Sequence, residues 1–215
     1  MKLVIGNKNY SSWSLRPWML LTSFNLPFTE IKVALDRSDF KQQLQRYSDA
    51  AKVPVLIDDG QTVWDSLAIC ETISERYLDG RGWPSDSSQR AIARALCAEI
   101  HSGFSALREA LPMNCRATRE VIMNAQVQQE IARIDAIWSN YASLNENGEQ
   151  WLFGQFSIAD CFFAPVVLRF RTYGIPLSDA AQAYADSVIA SSGIQRWLEQ
   201  AAKETEVIAA DEAGF

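Results

Sequence analysis

Several kinds of feature are scarce in this 215-residue chain, and each scarcity excludes something. No apolar run reaches the length of about 18 residues that a membrane-crossing helix needs. The apolar part of the opening Met1-Lys2-Leu3-Val4-Ile5-Gly6 is too short for a signal peptide, and no small-residue cleavage site follows it, so the expected compartment is the cytoplasm. Basic residues are outnumbered, 20 Lys and Arg against 26 Asp and Glu, for a net charge of -6, and they form no stripe. Nucleic acid is therefore a poor partner for this surface. There is one histidine, His101, and the four cysteines, Cys70, Cys97, Cys115 and Cys161, form no C-x-x-C pair. A metal site is not expected, and the thiols read as buried apolar residues. G-x-S-x-G is absent and His101 is the sole candidate base, which disfavours a serine hydrolase. No cysteine lies in residues 9–16, which disfavours thiol–disulfide exchange at the opening loop.

What is present divides the chain in two. Residues 2–6 read as a buried strand, 15–24 as a helix, 28–35 as a second strand and 39–47 as a short polar helix. Val55 to Ile57 and Gln61 to Trp64 read as a hairpin around Asp58-Asp59-Gly60, followed by a helix to about Leu78. The order β-α-β-α-β-β-α, with a right-handed crossover between the first two strands, is that of an α/β thioredoxin-like domain, placed at residues 1–79. "DGRGWPSDS", residues 79–87, reads as a linker. From 88 to 215 the pattern is helical, with apolar residues at three- and four-residue spacing over 88–111 and 118–144, and further helices at 158–172, 179–191 and 194–203. The expected architecture is thus an α/β domain followed by an all-α domain.

Three stretches carry candidate chemistry. Ser11-Ser12-Trp13-Ser14 lies between the first strand and the first helix. Proline fits the first turn of a helix, so Pro17 puts the helix start near Ser14, which then reads as the N-cap. Ser11 and Ser12 are left in the loop, free to face a ligand. A hydroxyl donor and a helix N-terminus both favour an anion, such as the thiolate of a thiol whose ordinary pKa is about 8.5. Lys52-Val53-Pro54 precedes the third strand, and Asp65-Ser66 precedes a helix whose N-terminus is suited to an anion. A fourth stretch, Ser157-Ile158-Ala159-Asp160, has the form of a capping box with Asp in place of Glu and reads as a buried folding element.

With these motifs in this order, nearly the whole chain resembles the cytosolic glutathione transferases, in particular the zeta and related bacterial serine-type enzymes. The resemblance implies that Ser11, with Ser12 beside it, contacts the sulfur of glutathione, the co-substrate. It implies a cis Val53–Pro54 bond with the valine backbone pairing to the cysteinyl backbone of glutathione, and Lys52 near a glutathione carboxylate. Ser66, with Asp65, is expected at the γ-glutamyl end, although Asp65 is shorter than the usual Glu or Gln. The electrophile site is expected between the domains, with Trp13, His101, Phe104, Arg108 and Asn114 as candidates. Family members are usually homodimers. The leading reading is conjugation of glutathione to a small electrophile. A maleylacetoacetate-isomerase-like reaction is the alternative. The serine pair favours that alternative, whereas Trp13, standing where zeta enzymes carry cysteine, counts against it. A non-catalytic binding or regulatory protein on the same fold is the third reading.

Overall fold

The computed structural model describes all residues, 1–215. Its element order is β1 Lys2–Ile5, α1 Ser12–Ser23, β2 Thr29–Lys32, α2 Phe40–Gln45, β3 Val55–Asp58, β4 Gln61–Val63, α3 Ser66–Tyr77, α4 Ser87–Ser102, α5 Ser105–Ala110, α6 Ala125–Tyr141, β5 Ala142–Leu144, β6 Gln150–Leu152, α7 Ile158–Thr172, α8 Asp179–Ala190 and α9 Ser192–Ala201. The first seven elements follow the order read from the sequence. They build a four-stranded sheet, β2-β1-β3-β4, in which β1 and β2 are parallel and the other pairs antiparallel. Alternation in the strands serves two layers. Leu3, Ile5 and Leu56 face the main core, whereas Val4 and Val55 join Val33 and Leu44 in a small cluster under α2.

The two halves of the chain share one core of 45 buried residues. α1 and α7 form its centre. Leu15, Trp18, Met19, Leu20 and Leu21 of α1 are buried, as are Cys161, Phe162, Phe163, Val166, Val167 and Phe170 of α7. Each large apolar side chain taken out of water contributes about 1.5–3 kcal/mol before the entropy of ordering is subtracted.

Four boundaries differ from expectation. The helix expected over 88–111 is broken at Gly103-Phe104, where Phe104 adopts φ 57° and a Cβ on Gly103 would lie 2.8 Å from the Glu99 carbonyl oxygen. The chain turns there and starts α5 afresh. The helix expected over 118–144 begins only at Ala125, capped by Asn124, and gives way at Ala142 to a β5–β6 hairpin that apolar periodicity did not reveal. The second strand is shorter than 28–35 because it is an edge strand paired on one side only. Finally, α1 starts before Ser14. Ser11 is its N-cap residue and Pro17 lies well inside it, so Ser14 is an interior helical residue and not the cap. Ser14 is instead held by burial, and α1 is anchored by its core face rather than by a side-chain cap.

The capping box forms as expected. Ser157 Oγ accepts the Ala159 N–H, while Asp160 accepts the N–H and O–H of Ser157, the Leu152 N–H and the Tyr184 hydroxyl. One carboxylate therefore ties α7 to the β5–β6 hairpin and to α8. In Asp160→Asn an amide NH2 faces two of these donors. The expected cost is about 3 kcal/mol, read as a fall in Tm of roughly 6–12 °C for a chain of this size.

Candidate active site between the sheet edge and the helical half

The opening loop is fixed from its first residue. A Cβ on Gly6 would lie 2.5 Å from Leu35 Cδ1 and 3.1 Å from Ser11 Cβ, so the absence of a side chain lets the loop pass between them. Downstream, carboxylates from the C-terminal segment hold the loop. Glu204 accepts the N–H groups of Lys8 and Asn9, and Glu212 accepts the Tyr10 hydroxyl. Trp197 donates its indole N–H to the Lys8 carbonyl. Asn9 and Asn114 pair side chain to side chain, and Asn114 also donates to Glu212. Asn114 is thereby committed to bracing the loop.

The loop delivers the serines to the start of α1. Ser11 is 6% exposed, and its Oγ lies 2.7 Å from Ser14 Oγ, which accepts the Gly6 N–H. Ser12 Oγ accepts from Arg169 Nη2 at 3.1 Å. Both serines are therefore more enclosed than a free loop would leave them. Ser12 donates its backbone N–H to the Tyr10 carbonyl, and the amides of Trp13 and Ser14 have no backbone acceptor, as expected in the first turn of a helix.

Beside this turn opens a cleft of about 700 Å³. Leu35, Phe40, Ala50 and Ala51 form its apolar wall. Lys52, Val53 and Pro54 line one side, Asp65 and Ser66 another, and Trp13 and His101 close the end toward α4. The Val53–Pro54 bond is cis, and so is Trp64–Asp65. A smaller opening of about 480 Å³ near the 79–90 segment shares none of these residues. Of the sequence candidates, seven thus share one cleft. Ser11 and Ser12 are buried and lie outside its lining. Phe104 is turned into the main core, and Arg108, also outside the lining, donates to the Ile100 carbonyl with its guanidinium 5.7 Å from the Trp13 ring.

Asp65 caps α3 through the Leu67 and Ala68 N–H groups with one oxygen, and its other oxygen lies 2.8 Å from His101 Nε2. His101 Nδ1 faces Arg16 Nη1 at 3.4 Å, and Arg16 Nη1 lies 3.3 Å from Ser66 Oγ. Because arginine only donates, Nδ1 accepts and Nε2 carries the proton shared with Asp65. This chain of contacts crosses between the two halves at the cleft.

Two buried cations were missed by motif reading. Arg16 is sandwiched between the rings of Trp13 (4.1 Å) and Phe162 (4.3 Å), with its Nε unpartnered. Arg169 donates to Ser12 and to the carbonyls of Arg108 and Leu111. Neither has a carboxylate partner. Burial pulls Arg16 down to about 9 and Arg169 to about 10, so both remain charged at neutral pH. The available signal was a lone arginine in an apolar helical run, as in "SLRPWML" and "VVLRFR". An unpaired buried cation does little for stability. Arg16→Met, which keeps the apolar stem between the two rings, is expected to leave unfolding free energy within about 1 kcal/mol of wild type. A denaturant titration checks this.

All four cysteines are free; Cys70, Cys97 and Cys161 are buried as expected, whereas Cys115 is only half-buried. Burial pushes each thiol up, Cys115 to about 12, which disfavours the thiolate.

Comparison with known proteins agrees with this geometry. Residues 10–76 match the family model described as glutathione S-transferase, N-terminal domain, and residues 89–200 match glutathione S-transferase, C-terminal domain. A probable maleylacetoacetate isomerase of Caenorhabditis elegans is 27% identical over 169 residues, 78% of each chain. The maleylacetoacetate isomerase of Rattus norvegicus is 28% identical over 173 residues, 78% of this chain and 76% of that one. Among solved structures, a glutathione transferase homolog from Burkholderia gl BGR1 with bound glutathione superposes with a TM-score of 0.73 at 24% identity, over 94% of this chain and 98% of that one. Maleyl pyruvate isomerase, a bacterial zeta-class glutathione S-transferase, superposes with a TM-score of 0.70 at 19% identity, over 96% and 100%. An α/β half carrying the cleft motifs, a helical half closing it, and family models that together span most of the chain lead to one conclusion: this chain belongs to the glutathione S-transferase family.

Proposed function

We propose that the protein binds glutathione in the cleft beside α1, holds its sulfur as the thiolate and presents it to a small electrophile from the side of the helical half. The observation that supports this most directly is the convergence of Lys52, Val53–Pro54 and Asp65–Ser66 on one cleft that ends at the first turn of α1. Each element has a chemical task in this reading. The α3 N-terminus and Lys52 suit the carboxylates of the tripeptide. The Val53 backbone suits its cysteinyl amide. Ser11, at the α1 N-cap, meets the sulfur. A hydroxyl donor and the unpartnered amides of the first turn both favour thiolate over thiol. Catalysis is then orientation of a nucleophile together with stabilisation of its charge.

A second reading, isomerisation of an anionic substrate, is supported by one feature. Arg16, Arg108 and Arg169 gather around Trp13 and Ser12 with no carboxylate bonded to any of them. The relatives named maleylacetoacetate isomerase point the same way. Trp13, filling the place of a cysteine, favours conjugation instead. In this proposal the protein works in the cytoplasm and pairs as a homodimer. The exposed apolar residues Trp64 after β4, Tyr77 at the end of α3 and Ile92 in α4 support the pairing.

Calorimetry with glutathione tests the binding, and thiolate absorbance tests the ionisation. Ser11→Ala is expected to raise the pKa of the bound thiol and to lower kcat toward an aryl halide roughly 100-fold, the effect of removing one donor to a reacting anion. Ser12→Ala is expected to do less. Absence of binding at millimolar glutathione would overturn the proposal. Parallel assays with the aryl halide and with a cis-configured unsaturated dicarboxylate separate the two readings, and faster turnover of the dicarboxylate favours the second.

A further inference from the structure

Ser14 is fully buried, and its hydroxyl does two things that alanine could not: it accepts the Gly6 N–H and meets the Ser11 hydroxyl. We propose that Ser14 is a positioning residue: it fixes the direction of the Ser11 hydroxyl so that the Ser11 proton points at the glutathione sulfur. The inference rests on the reading that Ser11 meets that sulfur.

The argument is a count of protons and lone pairs. Ser14 Oγ accepts the Gly6 N–H at 3.1 Å, so one of its lone pairs is used by a donor that cannot turn away. Its single proton must go to an acceptor. The Ser14 hydroxyl makes one other polar contact, with Ser11 Oγ at 2.7 Å. The carbonyl one turn back, Tyr10, is occupied by the Ser12 N–H and receives no bond from Ser14. If Ser11 donated to Ser14 instead, the Ser14 proton would be left fully buried with no acceptor in the protein, an arrangement that folded proteins avoid. The order is therefore Gly6 N–H to Ser14 Oγ, and Ser14 O–H to Ser11 Oγ.

Ser11 then has an accepting oxygen already engaged and a proton with no partner in the protein. It occupies the N-cap position, but its side chain makes no capping bond to α1. Its O–H is free to donate to an anion, and the two donors queued behind it strengthen that donation by polarising each oxygen in turn. No proton changes owner, because the relay orients and polarises without transferring charge. Ser12 is governed differently, since its oxygen accepts from Arg169 on α7. The two neighbouring hydroxyls are thus oriented from different elements, Ser11 by Gly6 through Ser14 and Ser12 by Arg169 of α7.

The experiment is a titration of bound glutathione by thiolate absorbance, with kcat and KM measured across pH, for wild type, Ser11→Ala, Ser14→Ala and the double variant. Ser14→Ala is expected to raise the pKa of the bound thiol by roughly one unit. It should lower kcat below that pKa with little change in the glutathione KM, and kcat should approach wild type at high pH. Ser11→Ala should raise the pKa at least as far, and the double variant no further than Ser11→Ala. If Ser11→Ala raises the pKa and Ser14→Ala leaves it at the wild-type value, the Ser14 proposal is overturned while the sulfur-donor role of Ser11 stands. If neither variant moves it, the role of Ser11 fails and the Ser14 proposal with it. Neutron diffraction of the wild-type protein gives an answer that does not depend on any variant folding. A deuteron on Ser14 Oγ directed at Ser11 supports the relay, and one on Ser11 Oγ directed at Ser14 overturns it.

Discussion

The packing of α1 against α7 is the contact on which the rest of this molecule depends. α1 connects β1 to β2 and so belongs to the sheet, yet its other side lies in the helical half. Ten of its twelve residues are buried. Because interiors are close-packed, two apolar helices that share a face cannot slide without opening voids, and a void costs free energy in proportion to its volume. The start of α1, and with it the serine turn, is therefore held in place by the core of both halves. The cleft beside it inherits that rigidity.

Polar groups within this contact are few, and almost all of them bear on the cleft. Arg16 enters between Trp13 and Phe162 and reaches Ser66 and His101. Arg169 crosses from α7 to Ser12. Charges without carboxylate partners in an apolar contact are expensive to keep. Their presence fits a site whose natural occupant is an anion, whether thiolate or carboxylate. By contrast, the buried Asp160 is surrounded by four donors and is explained by folding alone.

The C-terminal segment adds a constraint that local pattern does not suggest. Glu204 and Glu212, far from the opening loop in the chain, accept from Lys8, Asn9 and Tyr10. Lys32 binds Glu204 and Glu206 on the edge strand. The loop between β1 and α1 is thus tied to the end of the chain as well as to the sheet, and the serine turn is braced by residues that carry no recognisable motif.

The cleft residues from Lys52 to Ser66 were legible through their resemblance to a family pattern, whereas the sequence alone determined the element order, the sheet half and helical half, and the Ser157–Asp160 box. The latter follow from local rules: period-two and period-3.6 patterns, turn residues and caps act over a few neighbours. Pro17 misled the placement of the first helix, because first-turn preference is a local rule and burial of α1 overrode it. The break at Gly103-Phe104 and the β5–β6 hairpin were set by packing over longer range. Tertiary structure alone decided which side chains meet. Arg16 and Arg169 look like ordinary charges in the sequence and come beside the serine turn only when α1 and α7 pack, while Phe104 and Asn114 go to the core and the tail. Ser14, expected as a cap, is instead a buried hydroxyl between Gly6 and Ser11 for the same reason: the partner of a hydroxyl is fixed by what lies within hydrogen-bond reach of it in space, and chain neighbours do not specify that.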